Sequence, residues 1–213
     1  VSYLLCLFFA WTINELKPAL RAVLTVIFYA PSISGSAFVI WLIVFDGDVY
    51  GYLNSFLIRT GLMNEPLLWL RDPRYMLTIV IIVQLWLSLG TSFLAMRAGF
   101  NTVDIQYYEA AAVDGIRNRW QELWYVTLPI MSPHLMLSAV LSITGAFGSA
   151  HVASIMTGFP STNYATHMIM HHLIDYGTIR FERGYAAAIA TILFVMSVVL
   201  NRFAQKMIGR IGK

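Results

Sequence analysis

Three sets of side chains in this sequence are of kinds that bind or react. His167, His171 and His172 lie close together, and the first two are four apart on a segment with helical character. That spacing lets two imidazoles share a metal ion, but no third ligand stands at a suitable distance along the chain, so no metal site is expected. Gln84, Ser88 and Thr91 recur at i, i+4 and i+7 and would share one face of a helix. With Ser142 on a later apolar segment, they offer an amide and hydroxyls to a hydroxyl-rich solute moving along a path. Small polar residues at this spacing also promote close helix packing in lipid, and hydroxyls there often bond their own backbone, so both readings stay open. The third set is the polar, charged stretch Tyr108 to Pro129, YEAAAVDGIRNRWQELWYVTLP. No nucleophile, base and orienting group form a set anywhere. The only lysines are Lys17, Lys206 and Lys213, and none follows a Gly-rich loop as a nucleotide site requires.

The elements that must position these groups follow from composition. The chain has 213 residues, of which 58% are hydrophobic and 12% charged, against about 25% charged in an average soluble domain. This is a membrane protein, all-α in class. A net charge of +3 is too small an excess to indicate a nucleic-acid partner. A single cysteine, Cys6, permits neither an internal disulfide nor a cysteine metal site.

Charge-free runs divide the chain into five spans at about 1–13, 22–45, 75–96, 129–150 and 185–201. The first would make a helix only about 20 Å long against a hydrocarbon core of about 30 Å, and we read it as a truncated span. Pro31, followed by Ser32, Ser34, Gly35 and Ser36, should bend the second. Long loops occupy 46–74 and 151–184, the latter with a turn at Gly158 to Pro160 and a short helix around Thr166 to Tyr176. Lys and Arg in alternate loops give Lys17, Arg21, Arg97, Arg117, Arg119, Arg202, Lys206, Arg210 and Lys213 on one side. Arg59, Arg71, Arg74, Arg180 and Arg183 lie on the other, nine against five. Positive residues are retained in the cytoplasm, which puts the 98–128 connection and the C-terminus there.

Within that connection Thr102 and Asp104 are helix starters, Ile105 to Val113 is compatible with a helix, and Gly115 is where it should stop. A second short helix carries Trp120, Leu123, Trp124 and Val126 as an approximate apolar stripe. Composition by itself supports an interfacial amphipathic helix anchored by tryptophans.

The string itself says more. Glu109-Ala110-Ala111, then Gly115, then Val126-Thr127-Leu128-Pro129 resembles the EAA loop of the permease subunits of binding-protein-dependent ABC importers: EAA, three residues, G, nine residues, I-x-LP. Tyr108 and the Asp114-Gly115 pair are similar to the sugar-type branch of that family, which includes the larger of the two maltose-transporter permeases. Asp48 to Asn54, Trp69 to Pro73 and Gly184 to Ala188 extend the likeness over nearly the whole chain. The resemblance implies a five-helix permease core with a cytoplasmic EAA coupling loop, multi-pass in a bacterial-type inner membrane. Glu109, Ala110, Ala111, Asp114, Gly115, Leu128 and Pro129 would form the part that seats on the ATPase. The substrate path would draw on the spans holding Gln84, Ser88, Thr91 and Ser142. Implied partners are a second permease subunit, an ATP-binding cassette ATPase dimer, an external solute-binding protein and the lipid bilayer. ATP and Mg would be bound by the ATPase and no cofactor by this chain, so it would be no enzyme.

Three departures accompany the likeness. Ten residues separate Gly115 from Val126, one more than the family pattern, and we place the extra residue between the glycine turn and Trp120. Asp104 stands where relatives usually carry Pro, and the outer TGGGP motif appears only as Thr157-Gly158-Phe159-Pro160. The alternatives are a permease for a non-sugar solute and a self-sufficient secondary transporter or channel. Against the latter stand the lack of an evident internal repeat and of any acidic residue within a span.

Overall fold

The computed structural model describes residues 1–210; Lys213, one of the nine basic residues counted above, lies outside the described residues. Among the described residues the regular structure is entirely helical. The chain runs through α1 (Ser2–Asn14), α2 (Pro18–Ile33), α3 (Val39–Val44), α4 (Tyr52–Arg59), α5 (Pro73–Ser88), α6 (Thr91–Asn101), α7 (Ile105–Val113) and α8 (Arg119–Glu122). After a π turn at Leu123–Thr127 come α9 (Leu128–Ile130), α10 (Ser132–Phe147), α11 (Ser149–Thr157), α12 (Ile169–Ile174) and α13 (Arg183–Ile208).

Three stretches are long and apolar enough to cross a membrane, Pro73–Asn101, Ser132–Thr157 and Arg183–Ile208, while Ser2–Asn14 and Pro18–Ile33 are shorter apolar helices. The expected 22–45 span is therefore not one helix. Pro31 lies in the last turn of α2, the helix stops at Ile33, Gly35 adopts φ +57°, and α3 resumes at Val39. Pro31 removes one backbone donor and crowds the turn before it, and the helix runs only two residues further, to a turn at Gly35. On α13, Ile192, Phe194, Val195, Val199 and Phe203 are each more than half exposed. An apolar face of that extent suits lipid or a partner helix rather than water.

The chain folds as two compact units, one made of Val1–Ile33, Ser88–Gly145 and the segment from Val195, the other of Ser34–Leu87 and Ala146–Phe194. In the first, α1 lies along α6. Cys6, Ala10 and Ile13 at i, i+4 and i+7 bury against Phe93, Met96 and Phe100. Small Cys6 and Ala10 allow that approach, and the Cys6 thiol reaches the Ser88 carbonyl at 3.5 Å. Gly99 serves α10 in the same way, because a Cβ there would lie 2.8 Å from that of His134.

The second unit is built around Asn54, which is 1% exposed. Its amide nitrogen donates to the carbonyls of Asp46, Asp48 and Leu67 at 3.0–3.1 Å. Its carboxamide oxygen accepts from Leu67 N–H at 3.2 Å and from Trp69 Nε1 at 2.7 Å. One side chain thus supplies the backbone partners that a folded loop lacks. Phe38, Phe45, Ile79, Val83, Val152 and Met156 pack into the core of this unit.

Candidate functional site

The connection between α6 and α10 is two helical pieces joined by a glycine turn. Asp104 caps α7 by accepting from Gln106 N–H at 3.2 Å. The other end closes as a Schellman motif, with Gly115 N–H on Ala112 O at 3.2 Å and Ile116 N–H on Ala111 O at 3.0 Å. Gly115 has φ +93°, a conformation that costs a side-chain-bearing residue about 1–2 kcal/mol. Asn118 caps α8 through its oxygen on Trp120 N–H at 3.1 Å.

α7 has two faces. Glu109, Ala110, Ala112, Val113, Asp114 and Gly115 are exposed, whereas Ala111 is buried. Leu128 is buried and Pro129 half-buried where the connection enters the apolar helices. On the second piece Leu123 and Val126 turn inward while Trp120, Trp124 and Tyr125 stay exposed, so the expected stripe divides between two faces.

The second piece departs from α geometry where it meets the apolar helices. Leu123–Thr127 forms a π turn, which holds one residue more than an α turn. Thr127 Oγ1 donates at 3.2 Å to the Glu122 carbonyl. The same hydroxyl lies 2.9 Å from the Tyr108 hydroxyl, joining the turn to α7. Burial pushes the Tyr108 phenol above its ordinary range; the Thr127 hydrogen bond opposes the rise, and the carboxylates of Glu122 and Glu15 add to it.

The second piece is also held to α1. Arg119 pairs with Glu122 at 2.6 Å and with Glu15 at 3.4 Å, and the Trp11 and Trp120 rings lie 4.5 Å apart. The hydrogen bond to Glu122, then the charge of Glu15, hold the Arg119 guanidinium above its usual range. None of Tyr108–Thr127, Arg119–Glu15 or Trp11–Trp120 was legible beforehand, because each joins residues far apart in sequence. Only the presence of Tyr108 and Thr127 inside the motif hinted at the first.

The polar faces are arranged differently from their spacing. α5 ends at Ser88, and α6 restarts after Leu89 and Gly90, so Gln84, Ser88 and Thr91 do not continue along one uninterrupted helix. A Cβ on Gly90 would overlap Ser32, which explains the glycine at the break. Gln84 belongs to the second unit, Ser88, Thr91 and Ser142 to the first. The Gln84 carboxamide oxygen is buried with no hydrogen-bond partner. Ser142 Oγ donates to Ser92 Oγ at 2.9 Å, and Ser138 Oγ to Ser92 O at 3.0 Å. Ser92, which the sequence did not single out, is therefore the partner of Ser142.

In the second unit both ring nitrogens of His171 are engaged. Nδ1 accepts from Met168 N–H at 3.0 Å, and Nε2 faces Ala150 O at 2.9 Å and the Ser154 hydroxyl at 2.8 Å. Such a histidine positions backbone rather than metal. Burial, with the neighbouring His171 and His172, pushes His167 below its ordinary range. Among the described residues no group of three potential ligands is placed to hold a metal ion.

Comparison with known proteins places these features in context. A family described as binding-protein-dependent transport system inner membrane component matches residues 3–213. The chain is 30% identical over 196 residues to the probable ABC transporter permease protein YesP of Bacillus subtilis, a match covering 89% of this chain and 61% of the relative. It is 27% identical over 185 residues to the sn-glycerol-3-phosphate transport system permease protein UgpA of Agrobacterium fabrum, covering 85% and 59%. It thus spans little more than half the length of these relatives. The fold is similar to the crystal structure of the bacterial alginate ABC transporter in complex with alginate pentasaccharide-bound periplasmic protein. The TM-score is 0.80 at 24% identity, over 99% of this chain and 73% of that one.

Proposed function

This chain belongs to the family of binding-protein-dependent transport system inner membrane components, and from that premise we propose that it is the permease subunit of an ATP-driven importer of carbohydrates or related polyols. The observation that carries the proposal is the connection at 98–128. Glu109, Ala110, Asp114 and Gly115 are exposed on a short helix closed at both ends and tied to its flanks by Tyr108–Thr127 and Arg119–Glu15. A helix so held transmits rigid-body motion to the flanking spans instead of absorbing it, as alternating access requires.

In this reading the exposed face docks on a cytoplasmic ATP-binding cassette ATPase. Glu109 and Asp114 pair with its basic residues, and Ala110 and Ala112 allow close approach. ATP and Mg are bound and hydrolysed there. A second homologous permease completes the path, an external solute-binding protein delivers the substrate, and the connection and C-terminus face the cytoplasm. Gln84, Ser88, Thr91 and Ser142 contribute to the path, with Gln84 as its leading member because its oxygen lacks a partner. The substrate class is supported by relatives whose names state transport of sn-glycerol-3-phosphate, lactose and arabinooligosaccharides.

The test is co-purification of the full-length protein with an ATP-binding cassette ATPase, then ATP hydrolysis in vesicles with an external solute-binding protein and candidate sugars. Sugar-stimulated hydrolysis is expected. Uptake by the purified protein without any ATPase would instead establish a self-sufficient transporter.

A further inference from the structure

A hollow of about 360 Å³ between the start of α2 and the end of α6 carries two arginines, Arg21 and Arg97. Arg97 is 6% exposed. Its Nη1 donates to Asn14 Oδ1 at 3.0 Å and Asn101 Oδ1 at 3.1 Å, while its Nε is buried with no partner. Arg21 donates to the carbonyls of Asn14 and Leu16, and its Nε is likewise buried and unpartnered. Every acceptor is neutral, and among the described residues neither guanidinium forms an ion pair. Glu15, the one carboxylate of the turn between α1 and α2, is engaged with Arg119.

A buried guanidinium beside a half-buried one, both against neutral acceptors, carries an uncompensated desolvation cost, which an anion in the hollow would offset. The rest of the lining favours the same charge. Pro18, Arg21 and Ala22 at the start of the 16-residue α2 line it, and the positive end of the helix dipole favours an anion there. Thr25 adds a hydroxyl, and Ala22 and Ala98 leave room. Leu94 of α6, an exposed apolar side chain, lines the hollow as well. A headgroup anion at the arginines would therefore have apolar surface beside it for acyl chains.

We infer that the Arg21–Arg97 hollow is a binding site for a phosphate anion, supplied either by an anionic phospholipid headgroup or by free phosphate. Planar guanidinium forks match phosphate oxygens, and basic pockets between membrane helices recognise headgroups in this way. The inference does not depend on which solute the protein moves.

The test uses the full-length protein in detergent, examined by native mass spectrometry and thermal melting after addition of phosphatidylglycerol, phosphatidylcholine or potassium phosphate. Retention of one phosphatidylglycerol per chain is expected, with phosphatidylcholine retained at least about tenfold more weakly. Arg21→Gln should lose about tenfold in retention and Arg21→Lys should recover part of it. Ala98→Leu fills the hollow without touching the arginine bonds, should lose as much, and carries the test if Arg21→Gln does not fold. Stabilisation by potassium phosphate without lipid assigns the site to the free ion, and stabilisation by phosphatidylglycerol alone assigns it to the headgroup. Equal retention of phosphatidylglycerol by wild type, Arg21→Gln and Ala98→Leu, or equal retention of the neutral lipid, overturns the inference.

Discussion

The hydroxyls of Tyr108 and Thr127 stand 2.9 Å apart across 19 residues of sequence and fasten the first helix of the 98–128 connection to the π turn that closes it. Thr127→Val keeps the shape and removes the bond, leaving the half-buried phenol with one partner fewer. A loss of about 1 kcal/mol is expected, read as a lowered melting temperature. The raised Tyr108 pKa adds a pH signature. A group whose folded value lies above its unfolded one contributes stability that is fully present below the unfolded value, about 10 for a phenol. The melting temperature difference between wild type and Tyr108→Phe should be flat from neutral pH upward and change only above that range.

Arg119 and Glu15 are both substantially exposed, so their pair should contribute little to stability. In a double-mutant cycle of Arg119→Ala and Glu15→Gln the coupling energy should fall below about 1 kcal/mol and shrink further in salt. Trp11→Ala, which removes the ring against Trp120, should cost more than either. A coupling energy of several kcal/mol would show that the ion pair, not the ring contact, holds the connection to α1.

Gly115 is in open space, with nothing within 4 Å of where a Cβ would be, so within this chain substitutions there affect stability through the backbone alone, while a charged side chain would project from the exposed face. Gly115→Asn should be tolerated better than Gly115→Ala, which costs about 1–2 kcal/mol. Gly115→Asp should abolish ATP-driven uptake while expression and the melting of the apolar helices stay near wild type. Normal uptake by a well-expressed Gly115→Asp protein would remove the glycine turn from the coupling scheme.

Replacing Asn54 by Ala or Leu strands three carbonyls, one amide and the Trp69 indole N–H at once. A loss of several kcal/mol is expected, of the order seen when buried hydrogen-bonded networks are broken. Limited proteolysis should then cut between residues 46 and 74 before any other segment.

Gln84 separates a packing role from a path role. Its buried, unpaired oxygen already costs folding energy, so Gln84→Leu should leave stability unchanged or raised by about 1 kcal/mol. If the amide faces the solute, the apparent affinity for uptake should fall about tenfold or more. Uptake at wild-type affinity would take Gln84 out of the path.

Composition and local pattern were enough for the class of the protein and for much of its grammar. Charge-free runs of membrane length force helices, because hydrocarbon offers backbone groups no other partner. Pro31 marked where the second apolar run departs from one straight helix, and Asp104 and Gly115 bounded α7. These signals are local, carried by residues within a turn or two of one another. What required the tertiary structure was every relationship across the chain: Tyr108 with Thr127, Arg119 with Glu15, Ser142 with Ser92, and Asn54 with Trp69. The break at Gly90 shows the reason most plainly. The residues from 75 to 96 read as one apolar helix with Gln84, Ser88 and Thr91 on a common face, yet the contact with Ser32 of α2 leaves room only for a glycine where the helix stops and restarts. Periodicity describes a helix by itself, while register, breaks and hydrogen-bond partners are set by the helix packed against it.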